Sequence, residues 1–308
     1  MPGRDNPCPM HLLIPFAAPL ADPGRHALRP LVLPGLQRCL SSMTELQREL
    51  GTEFSFTPPH ELALVRAFGW QGEDGRWPLA AWWAQQDGLP VGDTPLALLT
   101  PSHWHLGTEQ LSLGDPALLM LDEGSSRAFF EAIAPLFTSE GFTMQQGSPG
   151  RWYAGHASLA ELPTASLDRV IGRNVDPWLG AGARLLRRLQ NEVQMLLHEH
   201  PLNQERERRG LLAVNSIWCS GAGAPQPRPA AVPQIDERLR RHALAGDWAA
   251  WADAWQRIDA DLATAPPQQL TLCGERGYVH LAAKPKSWLG TLSSRWRRVD
   301  VPALLEAL

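Results

Sequence analysis

Hydrophobic and polar positions alternate along the chain with two periods, and the change from one to the other predicts a mixed succession of strands and helices. Met10–Phe16, MHLLIPF, is a short apolar run that reads as a buried strand. Leu36, Leu40, Met43, Leu46 and Leu50 recur at helical spacing and predict one helix over Leu36–Leu50, stopped by Gly51. Pro59 opens a second helix with Glu61 in its first turn, and RWPLAAWWAQQDG predicts a third, ending near Gly88. From Thr94 to Pro116 the pattern breaks into strands separated by turns. Phe129, Phe130, Ile133 and Leu136 form one face of a helix that Ser125 or Ser126 is placed to cap, and Phe142–Ala157 reads as a hairpin turning at Gly147–Gly150. The most regular stripe is Leu185, Leu186, Leu189, Val193, Leu196 and Leu197, within a helix from about Gly182 to His200. Pro201 breaks it, and a charged segment, Leu202–Arg209, ends at Gly210. AVNSIWC is then a strand closed by Gly221-Ala222-Gly223. After a Pro/Ala-rich segment, Trp248, Trp251, Trp255, Ile258 and Leu262 share one side of a helix, and QLTLCGERGYVHLA reads as strand, turn, strand.

Composition narrows the class. The 308 residues suffice for about two domains, with 44% hydrophobic and 19% charged residues. A net charge of −4 argues against nucleic-acid binding, which needs a basic field, although clustered arginines leave one local anion site open. Thirteen tryptophans stand against two tyrosines, and their simplest use is to fill core space. Cys8, Cys39, Cys219 and Cys273 form no Cys-x-x-Cys pair, so no zinc knuckle is expected. Pro15 interrupts the apolar run near the start, so no signal peptide is expected, and no stretch approaches the ~20 apolar residues of a membrane helix. The expectation is a cytoplasmic protein with reduced cysteines and no membrane partner.

Three constellations are candidates for chemistry. His103 and His105 lie at strand spacing, with Glu109 four residues on, and two imidazoles on one strand face with a carboxylate nearby suit manganese, zinc or iron. The bland alternative is a partly buried structural pair. His198 and His200 are about 200° apart on a helix and cannot share a metal there; their simpler role is at the helix C-terminus. Arg206, Arg208 and Arg209 beside Asn203, followed by Asn215 and the Gly221–Gly223 turn, offer guanidinium and backbone N–H groups for a phosphate or carboxylate. Glu205 and Glu207 interleave with the arginines, as on a solvated helix face. The chain has no Gly-x-Ser-x-Gly elbow, phosphate-binding Gly-Lys loop or dinucleotide fingerprint.

His200, Pro201, Asn203, Arg206, Gly210, Asn215, Gly221, Ala222 and Gly223 stand in an order and spacing that resemble a segment of archaeal-type cofactor-independent phosphoglycerate mutases. Over most of its length, including LTPSHWHLG, NEVQMLLHEHPLN, VNSIW and LTLCGER, the chain also resembles bacterial RpfE-type regulatory proteins and phosphoglycerate mutase-like proteins. The resemblance implies an α/β fold: an alkaline-phosphatase-like core sheet flanked by helices, built from 1–60 and 233–308, an inserted α+β substrate region over 61–223, and a linker over 224–232. It also implies two divalent metals and a nucleophilic serine, held by Asp and His. Here the sequence departs from that pattern. Pro15-Phe16-Ala17 follows the first strand in place of an Asp-Gly metal site, the linker Ala224–Val232 and a short charged stretch replace a ligand segment, Cys273-Gly274-Glu275 replaces Asp-His, and Ser220 replaces the arginine before Gly-Ala-Gly. A two-metal site cannot lose three ligand clusters, because each cation needs several donors. The expectation is a degenerate core in a non-catalytic binding or regulatory protein that needs no cofactor. Asn203, Arg206, Asn215, Gly221 and Gly223 would hold a small phosphorylated or carboxylated metabolite. The alternatives are a phosphoglycerate mutase, a metal-dependent hydrolase using His103, His105 and Glu109, or a protein-interaction scaffold with an exposed Trp patch around Trp82, Trp83 or Trp251.

Overall fold

The computed structural model describes residues 11–107, 110–179, 184–284 and 299–308. Cys8, Met10, Glu109 and Gly182, named above, lie outside them. The chain divides into two compact units, one of 1–53, 58–71 and 229–308, the other of 54–57 and 72–228. Residues 61–71 therefore belong with the first unit, whereas the sequence reading assigns them to the inserted region.

Along the chain, β1 (His11–Ala18), α1 (Asp22–Leu28), α2 (Pro34–Ser42), β2 (Met43–Leu50) and α3 (Pro59–Ala67) belong to the first unit. The second unit holds α4 (Leu79–Gln86), β3 (Leu96–Ser102), β4 (Trp104–Leu106), β5 (Leu111–Leu113), α5 (Glu123–Thr138), β6 (Thr143–Gln146), β7 (Trp152–Gly155), α6 (Leu167–Val170), α7 (Arg184–His198), α8 (Pro201–Arg208) and β8 (Ser216–Ser220). The first unit resumes with β9 (Gln234–Ile235), α9 (Arg240–Ala245), α10 (Trp248–Thr264), β10 (Gln269–Gly274), β11 (Gly277–Ala283) and α11 (Val301–Glu306).

The first unit is built on a five-stranded mixed sheet in the order β2-β11-β10-β1-β9. β1 runs parallel to β10 and β9, while β11 is antiparallel to both β10 and β2. Strand alternation separates its faces. Ile14, Leu270, Leu272, Val279 and Leu281 pack on one side into a core with Leu36 and Leu40 of α2 and Trp251, Trp255, Ile258 and Leu262 of α10. The tryptophan stripe is thus core, and Trp251 is fully buried. Asp259 of α10 reaches the start of α2, where its carboxylate accepts the N–H groups of Gly35 (3.1 Å) and Leu36 (2.7 Å), two of the donors a helix start leaves without partners.

The second unit carries a four-stranded antiparallel sheet, β6-β7-β3-β8, and the small ribbon β4-β5. Its core gathers Phe129, Ile133 and Phe137 of α5, Leu189, Val193 and Leu197 of α7, and Leu99, Trp152 and Ile217 of the sheet.

Two local expectations are corrected. The predicted helix over Leu36–Leu50 ends at Ser42, and Met43–Leu50 pairs with β11 as an edge strand. The cap of α5 is Asp122, whose carboxylate accepts Ser125 N–H at 2.7 Å, not a serine. No helix of the described residues is long and apolar enough to cross a membrane.

Candidate functional site

The structure gives Asn203, Arg206, Asn215 and Gly221 internal hydrogen-bond partners and packs Gly223 tightly against backbone. Pro201 starts α8 and His200 caps it, its Nδ1 accepting Leu202 N–H at 3.2 Å. That geometry turns Asn203 inward, where it is buried and fully engaged. Its Nδ2 donates to Leu197 O (2.8 Å) and Val214 O (2.8 Å), and its Oδ1 accepts Val214 N–H (2.9 Å). Arg206 is 3% exposed and donates to the carbonyls of Leu212 and Leu119, so its guanidinium ties three chain segments together. Burial and the nearby Arg209 lower its pKa. Asn215 clamps the backbone of Trp104 from both sides, accepting its N–H at 2.7 Å and donating to its carbonyl at 2.9 Å.

The glycine turn is equally committed. Gly221 takes a left-handed φ of 65° and its carbonyl accepts Ala80 N–H, while a Cβ there would lie 2.9 Å from Ala80 N. A Cβ on Gly223 would meet Arg76 O and Pro78 N at 2.9 Å. Both glycines let β8 run against the start of α4, a close backbone approach that only a residue without Cβ permits. The turn thus forms a tight backbone junction with the start of α4.

The two histidine pairs differ. His198 is the last residue of α7, and His200 caps α8 with its ring 5.1 Å from Phe129. His103 Nδ1 bonds Ala213 O at 2.7 Å, and its ring lies 4.4 Å from that of His105, edge to face. Burial, then the neighbouring His103, lower the pKa of His105. Glu109 lies outside the described residues, and among those described no group of three His, Cys, Asp or Glu is placed to share a metal ion.

In an open α/β sheet, ligands sit beyond the carboxyl ends of the parallel strands. In the first unit those ends are closed by other groups. The Trp251 indole N–H donates to Phe16 O (3.0 Å), and Trp255 donates to Ala17 O (3.2 Å). Glu275, beyond β10, accepts Leu20 N–H (2.9 Å), and Arg276 N–H donates to Leu308 O (2.9 Å). Asp236, beyond β9, is bound by Arg238, which also pairs with Asp261 at 2.7 Å. Two divalent cations each require several oxygen or imidazole donors. Indoles, the thiol Cys273 and carboxylates already committed to arginine or backbone do not fit that requirement.

The same sheet has a second, polar face. On it, His11 of β1, Thr271 of β10 and His280 of β11 form a chain: His11 Nε2 to Thr271 Oγ1 is 2.7 Å, and Thr271 Oγ1 to His280 Nδ1 is 2.8 Å. The two rings are 4.7 Å apart. They line a cavity of about 510 Å³ with Gln47, Gln269 and Tyr278 of the sheet, Ala63, Arg66 and Ala67 of α3, and the segment 230–234. Burial, then the neighbouring His280, push His11 down to about 4, and burial lowers His280. Both imidazoles are therefore neutral near pH 7. Arg66 is paired with Glu49 at 3.2 Å. Burial and the Glu49 carboxylate raise the pKa of Tyr278. Sequence reasoning missed this cluster; its only local trace is a polar residue among apolar ones in each of the strands QLTLCG and GYVHLA.

Fold and site define a mixed α/β protein of two units with a polar cavity on one sheet face. No family model matches the chain. Over 183 residues it is 26% identical to a probable 2,3-bisphosphoglycerate-independent phosphoglycerate mutase of Geobacter sulfurreducens, a match covering 54% of this chain and 43% of that protein. The chain thus spans less than half the length of that relative. Among solved structures, it aligns with the cofactor-independent phosphoglycerate mutase of Thermoplasma acidophilum at 15% identity and a TM-score of 0.36, over 90% of this chain and 91% of that one. It aligns with the PH0037 protein of Pyrococcus horikoshii at 12% identity and a TM-score of 0.42, over 89% and 87%. The similarity to cofactor-independent phosphoglycerate mutase is distant.

Proposed function

We propose that this chain is a non-catalytic binding or regulatory protein, distantly similar to phosphoglycerate mutase, that senses a small phosphorylated or carboxylated metabolite in the cytoplasm. In this reading the five-stranded sheet is a degenerate alkaline-phosphatase-like core, and the chain falls with RpfE-type regulatory proteins. Neither a metal cofactor nor a nucleic-acid or membrane partner is part of it. The observation that supports it best is the pair of indole hydrogen bonds from Trp251 and Trp255 to Phe16 and Ala17. They set large apolar side chains where phosphoryl chemistry would need charged donors.

The test is a thermal-shift titration with 3-phosphoglycerate and other small phosphorylated and carboxylated acids. A ligand that binds only the folded state stabilises it with the logarithm of its concentration above Kd, by about 2.7 kcal/mol at a hundredfold excess, and raises Tm accordingly. A rise in Tm that grows with the logarithm of concentration for at least one such acid supports the reading, and a flat response to all of them sinks it. One alternative retains an observation in its favour: the His103 and His105 rings 4.4 Å apart suit a metal-dependent hydrolase. It predicts co-purifying metal that is lost in His103→Ala.

A further inference from the structure

We propose that the His11–Thr271–His280 chain is the recognition element of a binding site for a small hydroxycarboxylic acid, held in the cavity on the polar face of the five-stranded sheet. The inference rests on the binding-protein reading above and assigns its site and ligand class.

Proton counting carries it. A threonine hydroxyl has one proton and two lone pairs. Thr271 is 1% exposed, and among the described residues its hydroxyl meets only the two imidazoles. Its proton therefore goes to one ring, and a lone pair accepts an N–H from the other. His11 bonds through Nε2 and His280 through Nδ1, so the two neutral rings must share one tautomer. If both carry hydrogen on Nε2, His280 offers a donor to the cavity and His11 Nδ1 an acceptor. If both carry it on Nδ1, the roles exchange. Either way the triad shows a ligand one donor and one acceptor, on rings 4.7 Å apart. Neither His11 Nδ1 nor His280 Nε2 has a partner among the described residues.

A molecule with a hydroxyl next to a carboxylate complements this pair: its hydroxyl donates to the bare nitrogen and its carboxylate accepts the imidazole N–H. Arg66 is the one lining residue that carries a full charge among those described; it is a cation already paired with Glu49, and a ligand carboxylate would share its guanidinium fork with that partner. A guanidinium favours a carboxylate over a neutral group at that wall. Gln47 and Gln269 supply further amide groups for the remainder of the ligand.

The test uses the full chain and three matched probes: lactate, propionate, which lacks the hydroxyl, and propane-1,2-diol, which lacks the carboxylate. Isothermal titration is expected to show lactate binding, with propionate and the diol each at least tenfold weaker. Thr271→Val, which keeps side-chain shape and loses the hydroxyl, is expected to weaken lactate at least tenfold, and Thr271→Ser to restore it. Long-range 15N–1H spectra of histidine-labelled protein, free of ligand, are expected to show His11 and His280 in one common tautomer. Mixed tautomers, or lactate affinity unchanged in Thr271→Val, overturn the proposal. A wild-type chain silent to all three probes overturns the hydroxycarboxylate class. If phosphorylated acids still raise Tm in that case, or do so equally in Thr271→Val, the binding-protein reading survives while this site assignment fails.

Discussion

Replacing Asn203 with alanine separates a structural residue from a ligand contact. The side chain makes three hydrogen bonds of 2.8–2.9 Å, and all three partners are backbone groups: the carbonyls of Leu197 and Val214 and the N–H of Val214. Asn203 is 5% exposed, so no water replaces what alanine removes. Each buried backbone group left without a partner costs about 1–3 kcal/mol. Leu197 O keeps the N–H of His200 (3.2 Å), so two groups, Val214 N–H and Val214 O, are left bare, and with partial relaxation the loss is about 3 kcal/mol. Leu197 O lies in the last turn of α7 and would be left with the His200 N–H alone, so the loss also loosens the junction between α7 and α8. Urea unfolding followed by far-UV circular dichroism measures the change as a lower midpoint at constant slope. Asn203→Asp is expected to fare no better, because it keeps an acceptor for Val214 N–H and turns a carboxylate toward two carbonyls. A change below about 0.5 kcal/mol, the usual result for a surface position, would refute the structural assignment and return Asn203 to the list of anion contacts.

Further expectations follow from the first unit. Asp259→Ala removes two charge-assisted bonds to the start of α2 and is expected to cost about 3 kcal/mol, read by the same unfolding assay. Gly35→Ala brings a Cβ within 2.1 Å of Asp259 O and is expected to destabilise at least as much, since both atoms belong to packed helices. The depressed pKa of His11 makes stability depend on pH with a defined sign. The folded state binds its proton less readily than the unfolded chain, so the contribution is complete above 6.5 and is lost as pH falls toward about 4. The undiscounted loss is about 3 kcal/mol, reduced to about 1–2 kcal/mol because the ring is partly solvated, and His11→Gln is expected to flatten the profile between those limits. Cys273 is fully buried and its thiol is held well above the ordinary range, so iodoacetamide at pH 8 is expected to modify it only after denaturation, as mapped by mass spectrometry.

Most elements were legible in the sequence because they bury one clear face. Leu189, Val193 and Leu197 point into the core as their spacing predicts, and Trp251, Trp255, Ile258 and Leu262 do the same. The error at Leu36–Leu50 has a physical cause. Leu46 and Leu50 continue the helical spacing of α2, yet they are 60% and 64% exposed, and pairing with β11 decides the conformation of that segment. The site was harder to read. Asn203, Arg206, Asn215 and the glycine turn cluster in sequence because they build one local junction, and local clustering of polar residues looks the same whether they face a ligand or their own backbone. His11 and Thr271 are 260 residues apart and meet only through parallel pairing of β1 with β10, which no local pattern encodes.

The most direct test of the central claim is a coupled assay for conversion of 3-phosphoglycerate by the purified full chain, across a manganese titration, with Trp251→Ala run alongside to show that any background is not its own. The account predicts no turnover above the enzyme-free control at any manganese concentration. Conversion that scales with protein concentration and saturates with substrate would contradict it, and would mean that the filled strand ends are not where this chain does its chemistry.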